Sequence, residues 1–243
     1  MTMATAALHN VWPIFKRELR GYFDSPVAYV VITAFLLVTG WFFTTNFFVA
    51  AQADLRVIFS IIPFIFLFFT PAITMRLISE ERKSGTMELM VTMPISDAAI
   101  VIGKYLASLA LLAAAVLPTI VYLITVSLLG DIDGGPAIGG YIGLMLMGAA
   151  YLSIGTYGSS LTDSQVVAFI VSFFITFMFF LLDKVLFLLP SWMVSTVEYL
   201  SIESHFQNIS RGVIDSRDLI YYLSLISLAL YFASRSLASR RWR

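Results

Sequence analysis

The sequence predicts an all-α integral membrane protein with six membrane-spanning helices. Of its 243 residues, 59% are hydrophobic and 12% are charged, and the mean hydropathy is +0.90. Soluble domains are about 45–50% apolar and about 25% charged. The apolar residues form six segments, each near the ~20 residues that a helix needs to cross a bilayer. These segments are continuously apolar rather than alternating, which favours helices over strands.

The six predicted spans belong to a single transmembrane domain, residues 1–243. They cover residues 27–51, 57–75, 99–129, 138–161, 164–182 and 218–236. Pro63, Pro71 and Pro118 fall inside spans, where each removes a backbone donor, so we expect kinks there. The fourth span is rich in Gly and Ala, which permits close helix contact. This contact is expected within one subunit, with a subunit interface as the alternative.

The distribution of Lys and Arg predicts that both termini are cytoplasmic. In that orientation only Arg56, Lys184, Arg211 and Arg217 of the 15 basic residues lie outside. The other basic residues lie inside: Lys16, Arg17, Arg20, Arg76, Arg82, Lys83, Lys104, Arg235, Arg240, Arg241 and Arg243. Lys104 is expected near the cytoplasmic end of the third span, where its side chain can reach the membrane surface.

An amphipathic helix is predicted before the first span, within residues 9–25. Its apolar face carries Trp12, Phe15, Leu19, Tyr22 and Phe23, and its polar face carries Lys16, Arg17, Arg20 and Asp24. Such a helix belongs at the membrane surface. It is either a passive anchor or a lever that also touches a cytoplasmic partner.

A second irregular stretch, residues 183–217, separates the fifth and sixth spans. It is too interrupted to cross the membrane and too apolar for a free loop. We expect short helices lying at the extracytoplasmic face of the membrane.

The most polar stretch, "SEERKSGTMELMVTMPIS" at residues 79–96, lies between the second and third spans. It is longer than a connection between neighbouring helices needs. Gly85 permits a bend, and the residues after it can form a short helix with Met87 and Met90 on one face. Glu88 can pair with basic groups of a partner, Pro94 ends the segment, and Ser96 can cap the third span. The alternative is a solvated connector that packs on its own bundle.

Several classes of function are disfavoured by composition. The net charge is zero, which gives no reason to expect nucleic-acid binding, and the chain has no Cys and two His, which makes a metal site improbable. No acidic residue falls at mid-depth in a span, unlike in ion-coupled carriers. The only "GK" pair, Gly103–Lys104, lacks the rest of a nucleotide-binding loop. Any energy for transport must therefore come from another chain.

The polar stretch resembles the signature of type-2 ABC exporter permeases. The matching residues are Glu80, Glu81, Arg82, Gly85, Thr86, Glu88, Met90 and Pro94. The stretches Ser204–Asp218 and Gly139–Phe169 resemble, more narrowly, the gliding-motility-associated ABC permease subunits.

This resemblance implies an inner-membrane half-transporter that binds no cofactor itself. Its expected partners are a cytoplasmic ATPase dimer that holds ATP and Mg, a second or sister permease, and an accessory subunit with a periplasmic domain. The ATPase would hold residues 79–96 as a coupling helix, and His205, Phe206, Arg211 and Asp215 would shape an extracytoplasmic gate. For His205 and Arg211 the alternative is a purely structural polar contact. For the whole chain it is a membrane scaffold or force-transmitting subunit that moves no substrate.

Overall fold

The computed structural model describes residues 10–49, 55–86, 95–129, 133–213 and 215–240. This part of the chain contains helices and no strand, so the all-α prediction is confirmed. The α-helices are α1 Val11–Asp24, α2 Pro26–Thr44, α3 Arg56–Thr74, α4 Ser79–Lys83, α5 Asp97–Val116, α6 Ile120–Leu129, α7 Gly134–Leu161, α8 Gln165–Val185, α9 Ser191–Leu200, α10 Ile202–Ser210 and α11 Ser216–Arg240.

Six helical stretches are long and apolar enough to cross a membrane, in agreement with the six predicted spans. They are Pro26–Phe47, Arg56–Lys83, Asp97–Leu129, Gly134–Leu161, Gln165–Leu188 and Ser216–Ser239. Several boundaries differ from the prediction, and the largest difference is at the end of the second span, which reaches Lys83 rather than residue 75. The fourth span begins at Gly134 because Pro136 is tolerated in a first helical turn. The fifth continues past Asp183 and Lys184, which lie in the last turn of α8 rather than in the connection after it.

The fourth span lies at the centre of the bundle and packs against α3, α5, α8, α10 and α11. Its glycines allow this packing, because an added Cβ would collide with a neighbouring helix of the same chain. At Gly140 it would meet the ring of Phe59, and at Gly155 it would meet Thr74. The expected packing within one subunit is confirmed at these positions.

The prolines differ in their effect on the spans. The α3 helix continues through Pro63 and Pro71. At Pro118 the third span changes to a 3₁₀ turn, Leu117–Thr119, which separates α5 from α6. A local break is therefore present at Pro118, as expected from its missing donor.

The bundle has two ends, which we name by the short helices found there. At the α4 end, α4 contacts α1 and is bonded to the end of α7, and the Ser236 hydroxyl of α11 donates to the Ser160 carbonyl at 3.0 Å. At the α10 end, α10 contacts the beginning of α7, and both α9 and α10 contact the beginning of α11.

The α10 helix packs into the bundle rather than lying on its surface. Phe206 is buried against Gly143, where an added Cβ would lie 2.9 Å from the ring. The backbone at Ile209 approaches Gly139 more closely still, since an added Cβ there would lie 2.2 Å from the Ile209 carbonyl oxygen. Gly212, at φ +87°, turns the chain after the helix. Short helices were expected in this segment at the membrane face. How far α10 enters the bundle depends on the glycines of α7, a different helix.

Candidate coupling site

A cluster of ion pairs at the α4 end joins three separate elements. Lys104 of α5 places its Nζ 3.0 Å from Glu18 of α1 and 2.9 Å from Glu81 of α4. Arg17 of α1 lies 2.9 Å from Glu18 and 3.1 Å from Glu81. The Lys104 side chain is 1% exposed, so the expectation that it reaches the membrane surface is wrong. Two carboxylates inside the protein hold it instead, which offsets the cost of burying its charge.

The cluster forms because α1 packs closely against the third span. At Gly103 an added Cβ would lie 2.8 Å from Ile14 Cγ2 and 3.1 Å from the Val11 carbonyl oxygen. Ile14 is buried there, and Glu18 follows it one helical turn later on the same face. Because Gly103 has no side chain, α1 lies close enough to α5 for Glu18 to reach Lys104, the residue that follows Gly103.

The α4 helix is also fastened to the end of the fourth span. Arg82 pairs with Asp163 at 2.9 Å and donates to the Ser160 carbonyl. The Ser159 hydroxyl accepts from the backbone N–H groups of Ile78 and Ser79, at 3.1 and 3.2 Å. These bonds fix the orientation of α4 relative to the bundle.

A further ion pair in this region stays within one span. Arg76 donates to both carboxylate oxygens of Glu80, at 2.8 and 2.7 Å. The two residues are four apart and half-exposed, so the pair adds little stability. It connects no separate elements, which makes it a useful control for the cluster around Lys104.

The polar stretch bends at Gly85, as predicted. Gly85 has φ +74°, a left-handed conformation that favours glycine. Thr86 donates its hydroxyl to the Glu81 carbonyl at 3.2 Å and holds the bend. Four other predicted coupling residues, Met87, Glu88, Met90 and Pro94, lie outside the described residues.

The third span starts after this stretch with a side-chain cap. Ser96 accepts a hydrogen bond from the backbone N–H of Ala99 at 3.2 Å, which confirms the predicted cap.

The predicted amphipathic helix is present as α1. Lys16, Arg17 and Arg20 are exposed, and Tyr22 and Phe23 are half-buried against the bundle. Trp12 stacks on Phe15 and is 60% exposed. The helix therefore has a face toward the bundle, an apolar face toward its surroundings and a basic face.

At the α10 end, a buried pair links α10 to the sixth span. His205 Nδ1 lies 2.6 Å from Asp218 Oδ1, and His205 Nε2 lies 2.9 Å from the Tyr199 carbonyl oxygen. Because a carbonyl oxygen only accepts, Nε2 carries a proton. The ring also stacks on Tyr221, with 4.0 Å between centroids. His205 thus joins α9, α10 and α11.

A cavity of about 440 Å³ lies at the same end of the bundle. Arg56, Glu203, Gln207 and Arg211 are among its lining residues. Glu203 is 5% exposed, and its Oε2 has no hydrogen-bond partner among the described residues. Burial raises the pKa of this carboxyl above its ordinary value of 4.5.

The four predicted gate residues occupy different surroundings. His205 and Phe206 are buried in α10, whereas Arg211 is exposed at the cavity. Asp215 accepts from the backbone N–H of Arg217 at 3.0 Å, and this bond lowers the pKa of its carboxyl. Asp215 therefore caps the start of α11, and the four do not converge on one point. Their gate role stays a prediction.

A comparison with protein families identifies the chain. The model of the ABC-2 family transporter proteins matches residues 12–234. The chain belongs to this family. No curated protein matches it.

Membership of the ABC-2 family makes this chain the permease component of an ABC transporter and a multi-pass membrane protein. Permeases of this family are membrane components that are not themselves catalytic, and they work with an ATPase subunit. The predicted type-2 ABC permease family is thereby confirmed. The narrower resemblance to gliding-motility permeases stays a prediction.

Sequence reasoning missed three acidic residues of this ABC-2 permease. They are Glu18, Glu203 and Asp218. One signal was available for Glu18, since it interrupts the basic run Lys16, Arg17, Arg20 one turn after the apolar Ile14. No comparable signal marks Glu203 or Asp218, because their burial depends on how α10 packs.

Proposed function

We propose that this ABC-2 permease works as a dimer in an ATP-driven exporter, with a separate cytoplasmic ATPase dimer that binds ATP and Mg. Residues 79–96 form the coupling segment that the ATPase holds. The second permease is either another copy or a sister subunit, and an accessory subunit with a periplasmic domain completes the assembly. The cargo is amphiphilic, because the spans are apolar and offer few polar groups for a hydrophilic solute.

The observation that carries this proposal is the ion-pair cluster around Lys104. Glu81 belongs to the stretch that resembles a coupling segment, and it shares Lys104 with Glu18 of α1. A displacement of the coupling segment is thereby passed directly to α1 and to the third span. The alternative, a solvated connector that packs on its own bundle, is distinguished from a coupling segment by the experiment below.

The proposed localisation is the inner membrane, with the α4 end cytoplasmic. Arg17, Arg76, Arg82 and Lys104 take part in ion pairs at that end. The positive-inside rule supports this orientation. The α10 end is then extracytoplasmic, where α10 and its neighbours act as the gate.

A cysteine-labelling experiment tests both orientation and coupling. The chain has no native Cys, so a single introduced thiol reports one position. Arg211→Cys, at the cavity of the α10 end, is expected to react with a membrane-impermeant maleimide in intact cells, and Lys83→Cys is not. In the complex with its ATPase, the reaction rate at Arg211→Cys is expected to change when ATP and vanadate are added.

The matched variants separate coupling from a general loss of structure. Lys104→Met with Glu81→Gln removes the linkage and should abolish the ATP-dependent change while the ATPase still co-purifies. Arg76→Met with Glu80→Gln removes the pair within one span and should retain the ATP-dependent change in labelling. An unaltered ATP response in the first double variant would refute the coupling role.

A scaffold that moves no substrate is distinguished by a transport measurement. Proteoliposomes with the complete complex are expected to expel a fluorescent phospholipid analogue when ATP is supplied. A normal ATP-dependent labelling change without movement of such analogues would favour the force-transmitting alternative.

A further inference from the structure

An apolar groove lies between α1 and the spans it packs against. Its volume is about 530 Å³. The lining residues are Val11, Trp12, Phe15, Leu106, Leu109, Ala110, Ala113 and Met145. None of them takes part in the ion-pair cluster, so the groove is distinct from the proposed coupling site.

The groove has a clear structural origin. At Gly103 the α1 helix lies directly on α5, so that no space remains. Further along α5, the small side chains of Ala110 and Ala113 leave a hollow that Trp12 and Phe15 border from the α1 side. The stacked rings of Trp12 and Phe15, with centroids 5.2 Å apart, form a flat apolar wall.

The groove lies along α5 on the far side of Lys104 from the α4 end. Ala113 lies nine residues beyond the buried Lys104, which corresponds to about 13 Å along a helix. The hydrocarbon layer is about 30 Å thick, so this length is less than the depth of one leaflet. An apolar hollow open to hydrocarbon does not hold water, because water needs polar partners there.

Positive charge lies at the mouth of the groove. The Nζ of Lys16 lies 5.3 Å from the centroid of the Trp12 ring, which is a cation–π contact. Arg20 follows Lys16 one helical turn later, and both side chains are exposed. An apolar groove with cations at its mouth matches an anionic phospholipid, because the acyl chain is apolar and the headgroup phosphate is negatively charged.

We propose that this groove binds an acyl chain of one anionic phospholipid from the leaflet at the α4 end, with Lys16 and Arg20 at the headgroup phosphate. The lipid fills the hollow between α1, α5 and the fourth span and holds α1 against the bundle. This site does not depend on the cargo or on the direction of transport. A second copy of the chain covering the same face is the competing occupant.

The first test fills the groove. Wild-type full-length protein, incubated in detergent with phosphatidylglycerol, is expected to retain this lipid in native mass spectra. Ala110→Phe should lose the retained lipid, because the ring occupies the place of the acyl chain. Ala34→Phe makes the same exchange at an exposed position of α2 and should keep it. Equal retention in all three proteins would overturn the proposal.

The second test changes only the exposed headgroup contact, so it is independent of how well Ala110→Phe folds. Lys16→Glu is expected to lose the preference for phosphatidylglycerol over phosphatidylethanolamine. Lys184→Glu is the matched control, since Lys184 also lies over a ring, 5.6 Å from that of Phe180. A preference that survives in Lys16→Glu would contradict the assigned headgroup contact.

The third test addresses the competing occupant. Met145→Cys places a single thiol in the groove of the otherwise Cys-free chain. A lipid-filled groove predicts no disulfide between two copies when native membranes are oxidised. Efficient cross-linking would show that a second copy covers the groove and would overturn the lipid assignment.

Discussion

Lys104 Nζ lies 2.9 Å from the Glu81 carboxylate and so joins the third span to the polar stretch that precedes it. The same ammonium group reaches Glu18 of α1 at 3.0 Å. One buried cation therefore links three elements, and its loss should have consequences for each of them.

Replacing Lys104 with Met is expected to destabilise the protein strongly. The change leaves Glu18 and Glu81 partly buried without this cation, and breaking such an interaction costs about 3 kcal/mol. Thermal unfolding in detergent measures the loss. Lys83→Met, at an exposed position in α4, should have almost no effect. Adding Glu81→Gln to Lys104→Met should recover part of the loss, and no recovery would argue against a charge-based cause.

Replacing Gly155 with Ala should also destabilise the bundle, although Ala favours a helix more than Gly. The added Cβ collides with Thr74, and such overpacking costs about 1–3 kcal/mol. Gly21→Ala is the control in α1, since a Cβ there meets nothing within 4 Å. Gly21→Ala should stabilise the protein by about 0.5–1 kcal/mol. The same sign of change in both variants would contradict the packing seen around the fourth span.

Replacing His205 with Leu is expected to loosen the segment between the fifth and sixth spans. It leaves Asp218 buried without its partner at 2.6 Å, at a cost of about 3 kcal/mol. Hydrogen exchange of α9 and α10 should increase selectively. Asn208→Leu changes an exposed residue of the same helix and should leave exchange nearly unaltered. The double change of His205 and Asp218 to Leu should be less damaging than His205→Leu alone.

The stability of α10 should depend on pH through Glu203. Burial raises the pKa of Glu203 in the folded protein above 4.5, so folding favours the protonated form. The stabilisation is fully present below pH 4.5 and is lost as pH rises through the folded pKa. Hydrogen exchange of residues 201–210 should therefore accelerate with pH beyond the intrinsic chemical rate.

Glu203→Gln should remove this pH dependence, because the amide cannot ionise. Glu198→Gln, at an exposed position in α9, should retain it. A pH profile that is the same in the wild type and in Glu203→Gln would assign the dependence to another group.

The helices could be predicted largely from local composition. Each span is a continuous apolar segment, and the amphipathic pattern of α1 is contained in its own residues. The bend at Gly85 and the cap at Ser96 were equally accessible, since both follow from the residue type at one position. The ends of the spans were predicted less accurately. For example, α8 continues through Asp183 and Lys184 despite their charge.

The sequence alone determined the all-α class, the six spans and the uneven distribution of Lys and Arg. These depend on hydrophobic length and charge, which each segment carries by itself. Only the tertiary structure decided that Lys104 is buried between Glu18 and Glu81, and that α10 packs into the bundle at Gly139 and Gly143. The reason is that both depend on which helices touch. Glycines on one helix set the distance at which another can approach, and that distance brings together side chains that are remote in the chain.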